Sequence, residues 1–177
     1  MSVASPDIDI VPVTKEEEYP LLKKLAESVW PGTFGEILSQ GQIDYMLSMM
    51  YEVTVIADEI AGGISYFFVR DGGTPVGYLS FGPYGPDCIK LHKCYLTEPY
   101  QGKGIGSRML RFAAEQAHKR GAAVLRLNVN KQNEPAIRAY LRNGFEIVEN
   151  VKVDIGNGFF MDDFVMEKKI SQIKKEQ

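Results

Sequence analysis

The chain has 177 residues, 45% hydrophobic and 24% charged, with a net charge of −3 at neutral pH. That length suits one domain with a sizeable core spanning residues 1–177, and the composition excludes a disordered or fibrous protein and a generally basic nucleic-acid footprint. With no secretory leader at the start and no apolar run long enough to cross a membrane, a cytoplasmic protein without membrane partners is expected.

Ile8, Ile10 and Val13 predict a first strand ending near Pro12. Thr14 with Glu17 fits a capping box, so a helix is expected from Lys15, carrying Leu21, Leu22, Leu25 and Val29 and ending at Pro31-Gly32. Ser39 with Gln42 opens a second helix through Tyr51, and 54–61 reads as a third, closed by Gly62-Gly63. Strands follow at 64–70, 76–81 and 89–96. A helix over 104–120, a strand over 123–129 and a short helix over 133–142 come next, then strands at 145–153 and 159–168 joined by Gly156-Asn157-Gly158. This order predicts a mixed α/β sheet of seven strands with helices on both faces. The polar tail from Lys168 to Gln177 is expected to fray. Cys88 and Cys94, in one strand, would share a face yet sit too far apart to bridge, which leaves two free thiols. Two isolated histidines and these cysteines have no metal-ligand spacing, so no metal is expected.

One stretch stands out, LHKCYLTEPYQGKGIGSRML from Leu91 to Leu110. A strand ends before Pro99, three glycines follow at alternate positions, and a helix begins near Ile105. Closely spaced glycines permit positive φ and close backbone approach, and the unpartnered N–H groups of the helix start favour an anion such as a phosphate. Gln101, Lys103 and Arg108 add donors. The same spacing also suits an ordinary tight strand–helix corner, and both readings stand on the glycines alone. It is neither a P-loop nor the GxGxxG dinucleotide fingerprint.

The run Gln101-Gly102-Lys103-Gly104-Ile105-Gly106 resembles the acetyl-CoA signature of the GCN5-related N-acetyltransferase (GNAT) family. A second motif of that family follows downstream, in Leu127-Asn128-Val129-Asn130, Asn133, Ala136, Tyr140 and Gly144-Phe145. The resemblance implies a mostly antiparallel central sheet flanked by helices, acetyl-CoA as donor with CoA as product, and direct transfer to an amine. It implies cofactor contacts from Cys94, Tyr95, Leu96, Gln101, Gly102, Lys103, Gly104, Ile105, Gly106, Ser107, Asn128, Asn133, Ala136 and Tyr140, with Tyr140 protonating the leaving thiolate. Leu91-His92 ahead of Gln101 is similar to the arylalkylamine branch, in which a histidine at this strand position helps deprotonate the amine; the second histidine of that branch is Thr97 here. Asn133-Glu134-Pro135-Ala136-Ile137 and the ending Met166-Glu167-Lys168 look like bacterial spermidine/spermine acetyltransferases.

The chemistry is consistent with this assignment. An alkylamine with pKa near ~10.4 must lose a proton before attacking a thioester. His92, with an ordinary pKa near ~6.5, suits that role; a hydrogen-bonded strand histidine is the plainer alternative. Tyr140 shares a helix face with Ala136 and Ile137, so packing competes with catalysis as its reason for being there. The resemblance also implies that the segments near Phe34 to Tyr51 wall the acceptor site, with Trp30, Phe34, Tyr45, Met46, Met49 and Tyr51 as an apolar wall and Glu36, Asp44 or Asp162 receiving a second ammonium, while Asp162-Asp163 and Asp58-Glu59 otherwise read as solvated charges. The expected acceptor is a small primary amine, and a homodimer through a terminal strand edge is open. Acetylation of a protein N-terminus or lysine, and a non-catalytic CoA-binding sensor, remain alternatives.

Overall fold

The computed structural model describes residues 5–170. Its strands are β1 (Ile8–Pro12), β2 (Ser65–Asp71), β3 (Thr74–Pro83), β4 (Cys88–Leu96), β5 (Val124–Asn130), β6 (Glu146–Gly156) and β7 (Phe159–Lys169). They form one sheet in the order β1-β2-β3-β4-β5-β7-β6, with every neighbouring pair antiparallel except β4 and β5. Five helices flank it: α1 (Tyr19–Phe34), α2 (Gln40–Tyr51), α3 (Val53–Ala61), α4 (Ile105–Lys119) and α5 (Glu134–Arg142). None is long and apolar enough to cross a membrane.

Each sheet face has its own core. On one face, Ile105, Met109, Leu110, Ala113 and Ala117 form a helical stripe on α4 that packs against Leu79, Phe81, Leu91, Leu125 and Leu127. On the other, Leu22, Ala26, Trp30 and Phe34 of α1, Ile43 and Met46 of α2 and Ile56 of α3 cover Tyr66, Phe68 and Tyr78.

Three local expectations change. Glu18, not Glu17, accepts from the backbone N–H groups of Thr14 (3.2 Å) and Lys15 (3.0 Å), so a 3-10 turn over Glu16–Glu18 precedes α1. Pro31 does not end α1, which runs on to Phe34. An interior proline costs about 3 kcal/mol, but Pro31 lies on the exposed side, and burial of Trp30 and Phe34, whose rings meet at 4.7 Å, contributes roughly that much or more. Lys168 and Lys169 do not fray: they end β7 opposite Leu125 and Val124, and buried Ile170 donates its N–H to Ala123 O at 2.8 Å. The rest of that tail, 171–177, lies outside the described residues.

The feature that positions the site is a bulge in β4. Pairing with β3 passes from Ser80–Lys93 to Phe81–Leu91, leaving His92 as the extra residue. One extra residue exchanges the two faces of everything after it. Before the bulge Ile89 and Leu91 face α4; after it Cys94 and Leu96 do, and Lys93 and Tyr95 turn toward α1. Cys88 and Cys94 therefore point to opposite faces rather than sharing one, and both are free.

Candidate active site

Parallel pairing joins β4 to β5 only from Cys88–Val124 to Leu91–Leu127. From the bulge at His92 onward the two strands separate, so the β4 edge from His92 to Leu96 has no strand beside it on that side. A cleft of about 910 Å³ passes through this opening and joins the two sheet faces. Its walls combine the end of β4, the glycine loop, α5, the end of β5, α1, α2 and β7.

The glycine loop closes one end. Gly102 and Gly104 have φ of +73° and +81°, a region side chains disfavour, and Gly104 is the residue before α4. No atom lies within 4 Å of where a Cβ would stand on Gly102, Gly104 or Gly106, so the loop offers an open cradle at the positive end of α4. Gln101 donates its side-chain N–H to Leu96 O at 3.0 Å, tying the loop to the end of β4. Gln101, Gly102 and Gly106 line the cleft, together with Cys94, Tyr95 and Leu96. Lys103, Gly104, Ile105 and Ser107 do not form its wall. Ile105 is buried under α4, Lys103 lies over the Tyr100 ring at 5.8 Å, and Ser107 accepts from the Asn143 side chain at 3.2 Å.

Asn128, Asn133, Ala136 and Tyr140 also line the cleft. Asn133 caps α5 by accepting from Ala136 N–H at 3.4 Å. Tyr140 packs edge-on against Phe145 at 5.8 Å, and burial, with Cys94 and Tyr95 nearby, holds its phenol protonated well above the usual range. Burial likewise pushes the Cys94 thiol up to about 12. His92 lines the cleft and keeps an exposed face; partial desolvation by the cleft walls, then Lys90 and Lys93, with Glu59 opposing, bring its pKa down to about 4, so it is neutral at pH 7.

The opposite end is built by α1, α2 and β7. Trp30 and Phe34 are core residues whose edges line the cleft, joined by Met46, Met50 and Met161. Tyr45, Met49 and Tyr51 lie outside the lining. Tyr45 donates to Ile155 O at 2.6 Å, and Gln42 to Phe160 O at 2.7 Å, so α2 is clamped onto the β6–β7 hairpin. Met49 faces outward and is exposed.

Residues 24–145 match the acetyltransferase (GNAT) family. The chain belongs to this family. As a GNAT protein it is an acyltransferase. It is 28% identical over 158 residues to the spermidine N(1)-acetyltransferase of Thermoplasma acidophilum, covering 86% of this chain and 92% of that one. It is 32% identical over 98 residues to an uncharacterized N-acetyltransferase of Methanocaldococcus jannaschii, covering 49% of this chain but only 41% of that relative. Among solved structures, the PaiA N-acetyltransferase of T. acidophilum in complex with coenzyme A superimposes with a TM-score of 0.78 at 26% identity, over 92% of this chain and 99% of that one.

Sequence reasoning missed the charged groups of this GNAT cleft. Glu59 is partly exposed but not free: its carboxylate accepts from Tyr66 and from Lys93 Nζ (3.2 Å), and Lys93, itself buried, also donates to Tyr66 Oη at 2.6 Å. Asp163 is not solvated, being only 4% exposed. A signal was available for Asp163, since two adjacent carboxylates in an apolar strand cannot both face water under strand alternation. Lys93 carried none, because the bulge that turns it inward is invisible in sequence. Glu36 and Asp44 are exposed and absent from the cleft wall, as is Asp162, which pairs with Lys131 at 2.8 Å.

Proposed function

We propose that this protein transfers the acetyl group of acetyl-CoA directly to a primary amine of a small molecule, of the polyamine or arylalkylamine kind. The observation that carries the reading is the single cleft through the sheet, with an anion cradle at one end and a carboxylate-bearing apolar chamber at the other. The free β4 edge suits the amides of an extended pantetheine arm, which would add to the sheet like a strand. The N–H groups at the start of α4 suit the pyrophosphate, with Lys103 and Ser107 at the rim. Asn128, Asn133 and Ala136 flank the arm between them. Bound acetyl-CoA supplies the activated acetyl group, and the chain's residues move the protons. His92, neutral at pH 7, accepts the proton that the ammonium must lose, directly or through water. Tyr140, held protonated, donates to the leaving thiolate. Cys94 has no nucleophilic role, because its thiol stays protonated. The T. acidophilum relative named for spermidine supports a polyamine acceptor.

The test is release of free CoA thiol across a panel of spermidine, an arylalkylamine and a short peptide. Turnover that depends on a small amine is the expected result. Turnover on the peptide alone would replace this reading with protein acetylation, and tight acetyl-CoA binding with no turnover on any of the three would favour a sensor.

A further inference from the structure

Asp163 differs from every other carboxylate in the cleft. It lies on β7 opposite Asn130 of β5 and Val151 of β6. Phe164 and Met166 pack on the α4 side, so strand alternation directs Asp163 to the α1–α2 side, into the acceptor chamber. Glu59 already has Lys93 and Tyr66 as partners, and Glu98 is exposed. Among the described residues, no basic group lies within salt-bridge distance of Asp163.

An ionised carboxylate buried without a cation costs several kcal/mol. Burial raises the Asp163 pKa to about 6. Asn128 of β5 lowers it, Asp162 raises it, and Lys90 of β4 and Lys131 beyond β5 lower it; Tyr95 of β4 also lies within its field. Asp163 is thus a buried carboxylate on the cleft wall, 4% exposed, with Lys90 and Lys131 acting on it only from beyond salt-bridge distance.

We propose that Asp163 binds a second, non-reacting ammonium of the acceptor, which makes short alkyl diamines and polyamines the preferred substrate class; this rests on the amine-acetylating reading above. The held nitrogen is not the reacting one, because a carboxylate partner favours the charged ammonium and opposes attack. The backbones of His92 and Asp163 are two strands apart across β5, about 10 Å. That span leaves room between the two nitrogens for a chain of a few methylenes, and Met46, Met50 and Met161 supply an apolar wall for it.

The experiment compares kcat and KM for 1,4-diaminobutane and butylamine in the unaltered protein, Asp163→Asn and Asp163→Glu, with acetyl-CoA affinity measured by calorimetry. Asp163→Asn is expected to raise KM for the diamine about tenfold or more, leaving butylamine turnover and acetyl-CoA affinity unchanged, while Asp163→Glu restores part of the loss. An unchanged diamine KM, or equal losses for both amines, overturns the assignment of Asp163. Turnover of neither amine, nor of spermidine or an arylalkylamine, by the unaltered protein overturns the amine-acetylating reading itself. If Asp163→Asn does not fold, the pH dependence of the unaltered protein decides. KM for the diamine then rises as pH falls through about 6 and that for butylamine does not, whereas parallel profiles overturn the proposal.

Discussion

At one end of the cleft, a single stretch from Leu91 to Ser107 supplies a free strand edge, three glycines and the start of α4. At the other end, Phe34, Met46, Met50, Glu59, Met161 and Asp163 come from α1, α2, α3 and β7, far apart in the chain. The first end is made of backbone and the second of side chains. A backbone site depends on shape and tolerates few changes of φ. A side-chain site depends on identity and can be altered without disturbing its counterpart. Substitutions at the two ends should therefore separate donor affinity from acceptor selectivity.

The largest expected effect is at the junction of the two ends. Tyr140→Phe should lower kcat by about 100-fold or more while leaving acetyl-CoA affinity intact; unchanged turnover would assign the acid to another group or to water. Gly104→Val forces a branched side chain into φ +81° at the start of α4. Acetyl-CoA affinity should fall roughly 10- to 100-fold by calorimetry, and an unaltered Kd would remove the loop from the donor site. His92→Ala should lower kcat/KM about tenfold, the modest size reflecting water as substitute base. Because His92 stays neutral down to about pH 4, its acidic limb lies near 4 rather than near the ordinary ~6.5, and alanine should abolish that limb. A profile unchanged by the substitution would clear His92 of the role. The smallest effect is expected at Gly156→Ala. A Cβ there would stand 2.7 Å from Tyr45 Oη at φ +92°, loosening the clamp between α2 and the β6–β7 hairpin. Stability should drop by about 1–2 kcal/mol and acceptor KM rise a few-fold, with acetyl-CoA affinity unchanged. An equal loss of donor affinity would show that the two ends are not independent.

The same contrast explains what the sequence could reveal. Alternating and helical periods reach the reader directly, so all seven strands and the helices were legible, with boundaries shifted by a few residues. The glycine loop was legible because only glycine meets its backbone requirement. The chamber was legible only in part: Trp30, Phe34 and Met46 line it, but other expected residues do not. Tyr45, Met49 and Tyr51 lie on α2 but outside the cleft, because a helical stripe shows which residues are apolar and not which way the helix is rotated over its neighbour. The bulge at His92 leaves no mark in sequence, yet it decides which of Lys93 and Cys94 faces the α1 side. Strand alternation shows that one of Asp162 and Asp163 must turn inward, but which one, and how deeply, follows from β7 lying between β5 and β6, which no local pattern encodes.

The central claim is that donor and acceptor occupy one cleft together and react directly. Initial rates measured with acetyl-CoA and a diamine varied against each other test it. Intersecting double-reciprocal lines, the signature of a ternary complex, are predicted. Parallel lines, the signature of an acetylated enzyme, would contradict it and return Cys94 to consideration.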